Sequence, residues 1–171
     1  MNVREVIKLP HPMLRKRAHE VRDFGEPFQN LVEDMIVTMR EEDGVGLAAP
    51  QVNQSLRLIV IEYPEDDSIE DAKKKLFVMA NPEIVKWSEE TEMGVEGCLS
   101  VPDIVGEVER DLQVEVRGLN RYGKKMKVRA KGWLARVFQH EIDHLNGILF
   151  VDRAAKLFKT SDEEAANAEQ V

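Results

Sequence analysis

Gly132-Trp133-Leu134-Ala135-Arg136-Val137-Phe138-Gln139-His140-Glu141-Ile142-Asp143-His144-Leu145-Asn146-Gly147 is the stretch that decides the fold. It reads as one amphipathic helix, opened by Gly132 and closed by Asn146-Gly147. Residues four apart lie one turn above each other, so His140 and His144 present both imidazoles to a single point. That is the geometry of two metal ligands, with Glu141 between them placed to handle the proton of a metal-bound water. The string by itself can occur on an ordinary surface helix; as a hydrolytic site it supplies only two ligands where three and an open position are generally needed, so a third would have to come from elsewhere in the chain.

Working outward, the candidates for that third ligand are few. A metzincin would place a histidine where Phe150 stands, and phenylalanine cannot bind a metal. A thermolysin-like site would need a glutamate from a later helix, and only Glu163, Glu164 and Glu169 follow, all in a polar tail. No histidine lies downstream of His144, and His11 and His19 are near the N-terminus. Cys98, the single cysteine, remains. A lone cysteine usually serves as a small buried hydrophobe. Here Gly97 permits close backbone approach, and Leu99-Ser100-Val101-Pro102 leads into an extended segment.

The rest of the chain frames this helix with strands. Phe28, Leu31, Val32, Met35, Ile36 and Met39 recur at helical spacing and predict a helix from about residue 26 to 42, stopped by Asp43-Gly44. Residues 57–62 form an apolar β-branched run, hence a buried strand, and residues 63–75 read as a solvated excursion. Residues 76–80 and 83–87 predict two strands around an Asn81-Pro82 turn. Residues 112–117 and 125–129 alternate cleanly about Arg121-Tyr122-Gly123 and predict an antiparallel hairpin. The expected architecture is α+β, with antiparallel β-sheets packed around a central metal-binding helix. Residues 1–160 are expected to form a single catalytic domain, and residues 161–171 a polar, disordered tail.

Composition narrows the function class. A formal charge of −8 argues against general nucleic-acid binding, although a local basic patch can survive it. One cysteine excludes an intrachain disulfide scaffold and fits a reducing compartment. The first residues lack an apolar leader core and no run is long enough to span a bilayer, so a cytoplasmic protein with no membrane partner is expected.

Three motifs in order resemble those of the peptide deformylase family: Gly44-Val45-Gly46-Leu47-Ala48-Ala49-Pro50-Gln51, Glu96-Gly97-Cys98-Leu99-Ser100 and Gln139-His140-Glu141-Ile142-Asp143-His144. The likeness runs from His11 to about Arg153. It implies a metal-dependent amidohydrolase that removes the N-formyl group from the formyl-methionine of newly made proteins. Carried over by position, Cys98, His140 and His144 would hold the metal, and Glu141 would act as general acid/base. Gln51 and the Leu99 N–H would stabilise the oxyanion. The resemblance implies Fe2+ as the native metal, with Zn2+, Ni2+ or Co2+ as substitutes. It also implies nascent formyl-methionine polypeptides as partners and a transient ribosome contact. Some members use a basic C-terminal helix for that contact, which the acidic tail here does not supply.

Methionine needs an apolar cleft, for which Val45, Trp133 and Val137 are the candidate walls, with Gly46 admitting substrate backbone. Many relatives carry an arginine at the position of Val105, and Arg136 is the candidate substitute for its charge. Glu96 and Asp143 are near the ligands in sequence, with Asp143 expected to face solvent or a neighbouring strand.

Overall fold

The computed structural model describes residues 1–161 and 169–170. Helix α1 (Glu26–Glu41) precedes strand β1 (Gly46–Ala48). Strands β2 (Leu58–Pro64), β3 (Lys74–Trp87), β4 (Thr91–Cys98), β5 (Val101–Asp111), β6 (Gln113–Leu119) and β7 (Lys125–Lys131) follow. Then come α2 (Gly132–Leu145), the short α3 (Phe150–Arg153), β8 (Lys156–Lys159) and β9 (Glu169–Gln170). The strands form two sheets, ordered β1-β2-β3-β6-β7 and β8-β5-β4-β9. Every pairing is antiparallel except β4 with β9. The architecture is the α+β arrangement predicted.

Helix α2 is the central element because its apolar side has a sheet to bury against. Leu134, Ala135, Val137, Phe138, Ile142 and Leu145 join Ile59, Ile61, Phe77, Met79 and Val116 of the five-stranded sheet in one core cluster. Each large aliphatic or aromatic side chain buried there contributes about 1.5–3 kcal/mol. Helix α1 covers other side chains of the same sheet. All six of its predicted apolar positions are buried, packed with Leu47, Leu58 and Val60. Gly147 ends the α2 segment at φ +73°, and a Cβ there would lie 2.5 Å from the Arg15 carbonyl oxygen, so only glycine fits the turn.

Three expectations change. The Asn81-Pro82 break is not a turn, because β3 runs continuously from Lys74 to Trp87. Asn81 takes φ +51° within it, and the pairing with β6 shifts register between Ala80 and Glu83. Its side chain replaces a strand neighbour, accepting from Val21 N (2.8 Å) and donating to Val21 O (3.0 Å). The segment around Cys98 is not merely extended but a long hairpin of β4 and β5, closed with Cys98 opposite Val101. The tail is the third case: Glu169 and Gln170 pair in parallel with Glu96 and Gly97, while the expectation of disorder for the remaining tail lies outside the described residues.

Candidate metal centre

Strand β4 delivers Cys98 at the hairpin end, and α2 delivers His140 and His144 on successive turns. Their ligand atoms all lie within 4.8 Å of one another, and all three residues are buried. Cys98 Sγ is 3.4 Å from His144 Nε2, and the two imidazole rings are 5.1 Å apart. Gln51 reaches the same point from the 3-10 turn after β1. Its Oε1 accepts from Ala48 N (3.0 Å), which aims Nε2 at Ser100 Oγ (3.1 Å) and Cys98 Sγ (3.6 Å). Leu99, next in the hairpin, packs its side chain toward the α1 core, close to Gly44.

Behind the ligands lies a buried ionic network. Glu96 accepts from Arg110 at both oxygens (2.9 Å each) and from Arg136 (2.7 Å), and its Oε1 meets His140 Nδ1 at 2.8 Å. That contact fixes the ring and leaves Nε2 facing the cluster, as metal-binding histidines generally require. Arg110 also donates to Asp143 (2.7 Å), which Arg153 holds from the other side (2.6 and 2.9 Å). Asp143 is therefore buried against Arg110 of the neighbouring strand β5, the second of its two expected settings and not the solvent; Arg110 and Arg153 supply the charge that permits its burial. Burial alone would raise the Glu96 carboxyl, but Arg110 and His140 outweigh it and hold the group well below the usual carboxylate range.

Glu141 has the opposite surroundings. Both its oxygens are buried without a hydrogen-bond partner among the described residues, as is His140 Nε2. Burial, reinforced by the charge of Glu96, pushes its carboxyl well above the ordinary value. A Cβ on Gly46 would stand 2.6 Å from Glu141 Oε1, so β1 can pass this close only as glycine. Burial also pushes the Cys98 thiol up to about 12, and burial together with the charge of His140 holds His144 well below its usual value, hence neutral. Two imidazoles, a soft sulfur and a buried carboxyl form a set able to hold a divalent cation and work on its water.

The proposed cleft residues are dispersed around this centre. Val45 is half-buried, and Val137 lies wholly inside the main core. Trp133 packs against that core and lines a hollow of about 130 Å³ with Met93, Gly94, Arg110 and Arg136. The Arg136 guanidinium lies 5.5 Å from the Trp133 ring. Val105 is buried against Phe158 and Val95. Arg110 was missing from the sequence reading. In β5, Gly106, Val108 and Arg110 are buried while Glu107 and Glu109 between them are more exposed. That two-residue alternation was the available signal, hidden by the acidic neighbours on either side.

Comparison with known proteins agrees with this geometry. The family model of polypeptide deformylases matches residues 3–160. The peptide deformylase of Desulforudis audaxviator is 44% identical over 162 residues, covering 95% of this chain and 100% of that protein. The crystal structure of the Thermotoga maritima peptide deformylase superposes with a TM-score of 0.82 at 41% identity, covering 91% of this chain and 100% of that one. A class I type b peptide deformylase from Acinetobacter baumannii, solved with Met-ala-ser bound, gives 0.81 at 42% identity, covering 88% and 98%. With its fold and nearly its whole length shared with these enzymes, the chain belongs to the polypeptide deformylase family.

Proposed function

We propose that this protein hydrolyses the formamide bond of N-formyl-methionine at the start of newly made polypeptides, using one divalent metal held by Cys98, His140 and His144. The observation that carries the reading is the convergence of those three ligand atoms beside the partnerless carboxylate of Glu141. A bound cation would supply Lewis acidity, lowering the pKa of its water from about 15.7 towards about 7 and polarising the formyl oxygen. Fe2+ is the proposed native metal, with Zn2+, Ni2+ and Co2+ suited to the same sulfur and nitrogen donors.

The chain's own groups perform the remaining work. Glu141, whose proton affinity burial has raised, takes the proton of the attacking water and passes it to the departing amine as the formyl C–N bond breaks. Formate and a free methionine amine are the products. Gln51 Nε2, fixed through its own carbonyl by Ala48 N–H, and the Leu99 N–H donate to the charge that develops on the formyl oxygen. One such donor typically contributes about 3–4 kcal/mol to the transition state. Glu96 keeps His140 oriented. Because burial keeps the thiol protonated, metal uptake must release the Cys98 proton, so affinity rises with pH.

Gly46, on edge strand β1, lets an extended peptide backbone pass close to Glu141, with the half-buried Val45 and Trp133 as methionine-side walls and the core residue Val137 supporting them from beneath. The cytoplasm, where formylated chains are made, is the expected compartment. Among the described residues no helix is long and apolar enough to cross a membrane. The test is formate release from formyl-Met-Ala-Ser by protein loaded anaerobically with Fe2+, Ni2+, Co2+ or Zn2+. The expected products are formate and intact Met-Ala-Ser. Cleavage of an internal peptide bond, or no formate with any of the four metals, would contradict the reading.

A further inference from the structure

Strand β9 is only two residues long, and its place is telling: Glu169 lies opposite Glu96 and Gln170 opposite Gly97. Glu96 and Gly97 are the last residues of β4 before the ligand Cys98. On its other side β4 pairs with β5 from Thr91 to Cys98, so β9 takes the edge of β4 that the rest of the sheet leaves open.

A second open edge lies across the metal centre. Strand β1 pairs only with β2 and ends its sheet. Its start and the end of β4 are close neighbours. A Cβ on Gly44 would meet the Leu99 side chain at 3.1 Å, and Gln51, just after β1, reaches Cys98 Sγ at 3.6 Å. An extended peptide between β1 and β4 would therefore find two edges for its main chain, with Gly46 beside Glu141 on one and Gly97 beside Cys98 on the other. Strand β9 holds the second of them.

Chain length permits this. Strand β8 ends at Lys159, on the far side of β5 and β4 in the order β8-β5-β4-β9. Crossing the sheet from β8 to β9 takes about 14 Å, three spacings of about 4.8 Å. The residue steps from Lys159 to Glu169 can cover about 33 Å. A segment tethered within such reach competes at an effective concentration of about a millimolar. An added strand can also serve merely to protect a sheet edge. A protective strand would run along β4, whereas β9 covers Glu96 and Gly97 and, among the described residues, leaves Thr91 to Val95 uncovered on that side.

We propose that the segment carrying Glu169 and Gln170 is a built-in competitor, seated on the main-chain edge that an extended formylated peptide uses and displaced when that peptide binds. The identity of the displacing peptide rests on the deformylase reading.

The test compares the full chain with a variant carrying Glu169→Pro and Gln170→Pro, both loaded anaerobically with Co2+. Proline has no N–H to give to a strand ladder, and neither position belongs to a core cluster. KM for formyl-Met-Ala-Ser should fall roughly five-fold in the variant, the change for a site that the wild type leaves free about one-fifth of the time. The value of kcat should stay the same, because saturating peptide displaces the segment from the wild type. A synthetic peptide of residues 161–171 should inhibit the variant competitively, and the same peptide with both prolines should not. Hydrogen exchange over Glu96 and Gly97 in the metal-free proteins needs no turnover, and it should be faster in the variant. An unchanged KM, or exchange that the prolines do not alter, overturns the proposal. Absence of formate release from both proteins would instead contradict the deformylase reading, and the exchange comparison would still decide whether the segment sits on β4.

Discussion

The β4–β5 side and the β1 side of the metal centre treat a carboxylate in opposite ways. On the β4–β5 side, Glu96 is fully buried, and its oxygens are taken up by Arg110, Arg136 and His140. On the β1 side, Glu141 is equally buried and has no partner for either oxygen among the described residues. The first arrangement locks a charge in place and uses it to orient a ligand. On the proposed reading, the second leaves a carboxyl able to gain and lose a proton at the reacting centre. Buried groups of the same chemistry thus divide into a paired scaffold and a proposed reagent according to whether arginines reach them.

The comparison is broken most severely by removing the scaffold's main cation. Arg110→Met leaves Glu96 to Arg136 and His140 and leaves Asp143 to Arg153 alone. The expected loss is about 3 kcal/mol, the lower end for a broken buried pair because other cations remain. Urea unfolding of the metal-free protein would measure it; an unchanged midpoint would mean the network adds no stability.

A smaller effect of opposite sign is expected on the other side. Glu141→Gln removes a carboxyl whose folded-state proton affinity is raised by burial. Below the ordinary carboxylate value both folded and unfolded wild type hold the proton, so the substitution gains nothing there. As pH rises above that value, only the unfolded state ionises freely, and the wild type loses stability relative to the variant. The metal-free variant should therefore melt higher than wild type at neutral pH, with the gap closing on acidification. A gap independent of pH would sink this account of Glu141. Smallest of all is Arg15→Ala. Its pair with Asp152 is 2.6 Å long but about two-fifths exposed at both side chains, so less than about 1 kcal/mol should be lost and salt should erase the difference.

The same contrast explains what could be read from the sequence. Helix α1 and the His140–His144 pair were legible because helical periodicity is local and their residue types are distinctive. Cys98 was reachable by elimination, since the site needed a third ligand and the chain offers one cysteine. Arg110 was not, because a buried arginine looks like a solvated one until the carboxylates it meets, 14 and 33 positions away, are brought beside it. The continuity of β3 was hidden for a related reason: the side chain of Asn81 bonds to Val21, a partner 60 residues distant. Cleft-lining roles for Trp133 and Val137 depend on a bound peptide, which spacing along one helix does not define.

The central claim is that Cys98, His140 and His144 bind the metal and Glu141 moves the proton. The most direct measurement follows Co2+-loaded wild type and Glu141→Gln side by side, recording the thiolate-to-cobalt absorption band and formate release from formyl-Met-Ala-Ser. The account predicts the same band in both proteins and a rate at least about 10²–10⁴-fold lower in the variant. Near-normal formate release from the variant, or loss of the band along with the rate, would contradict it.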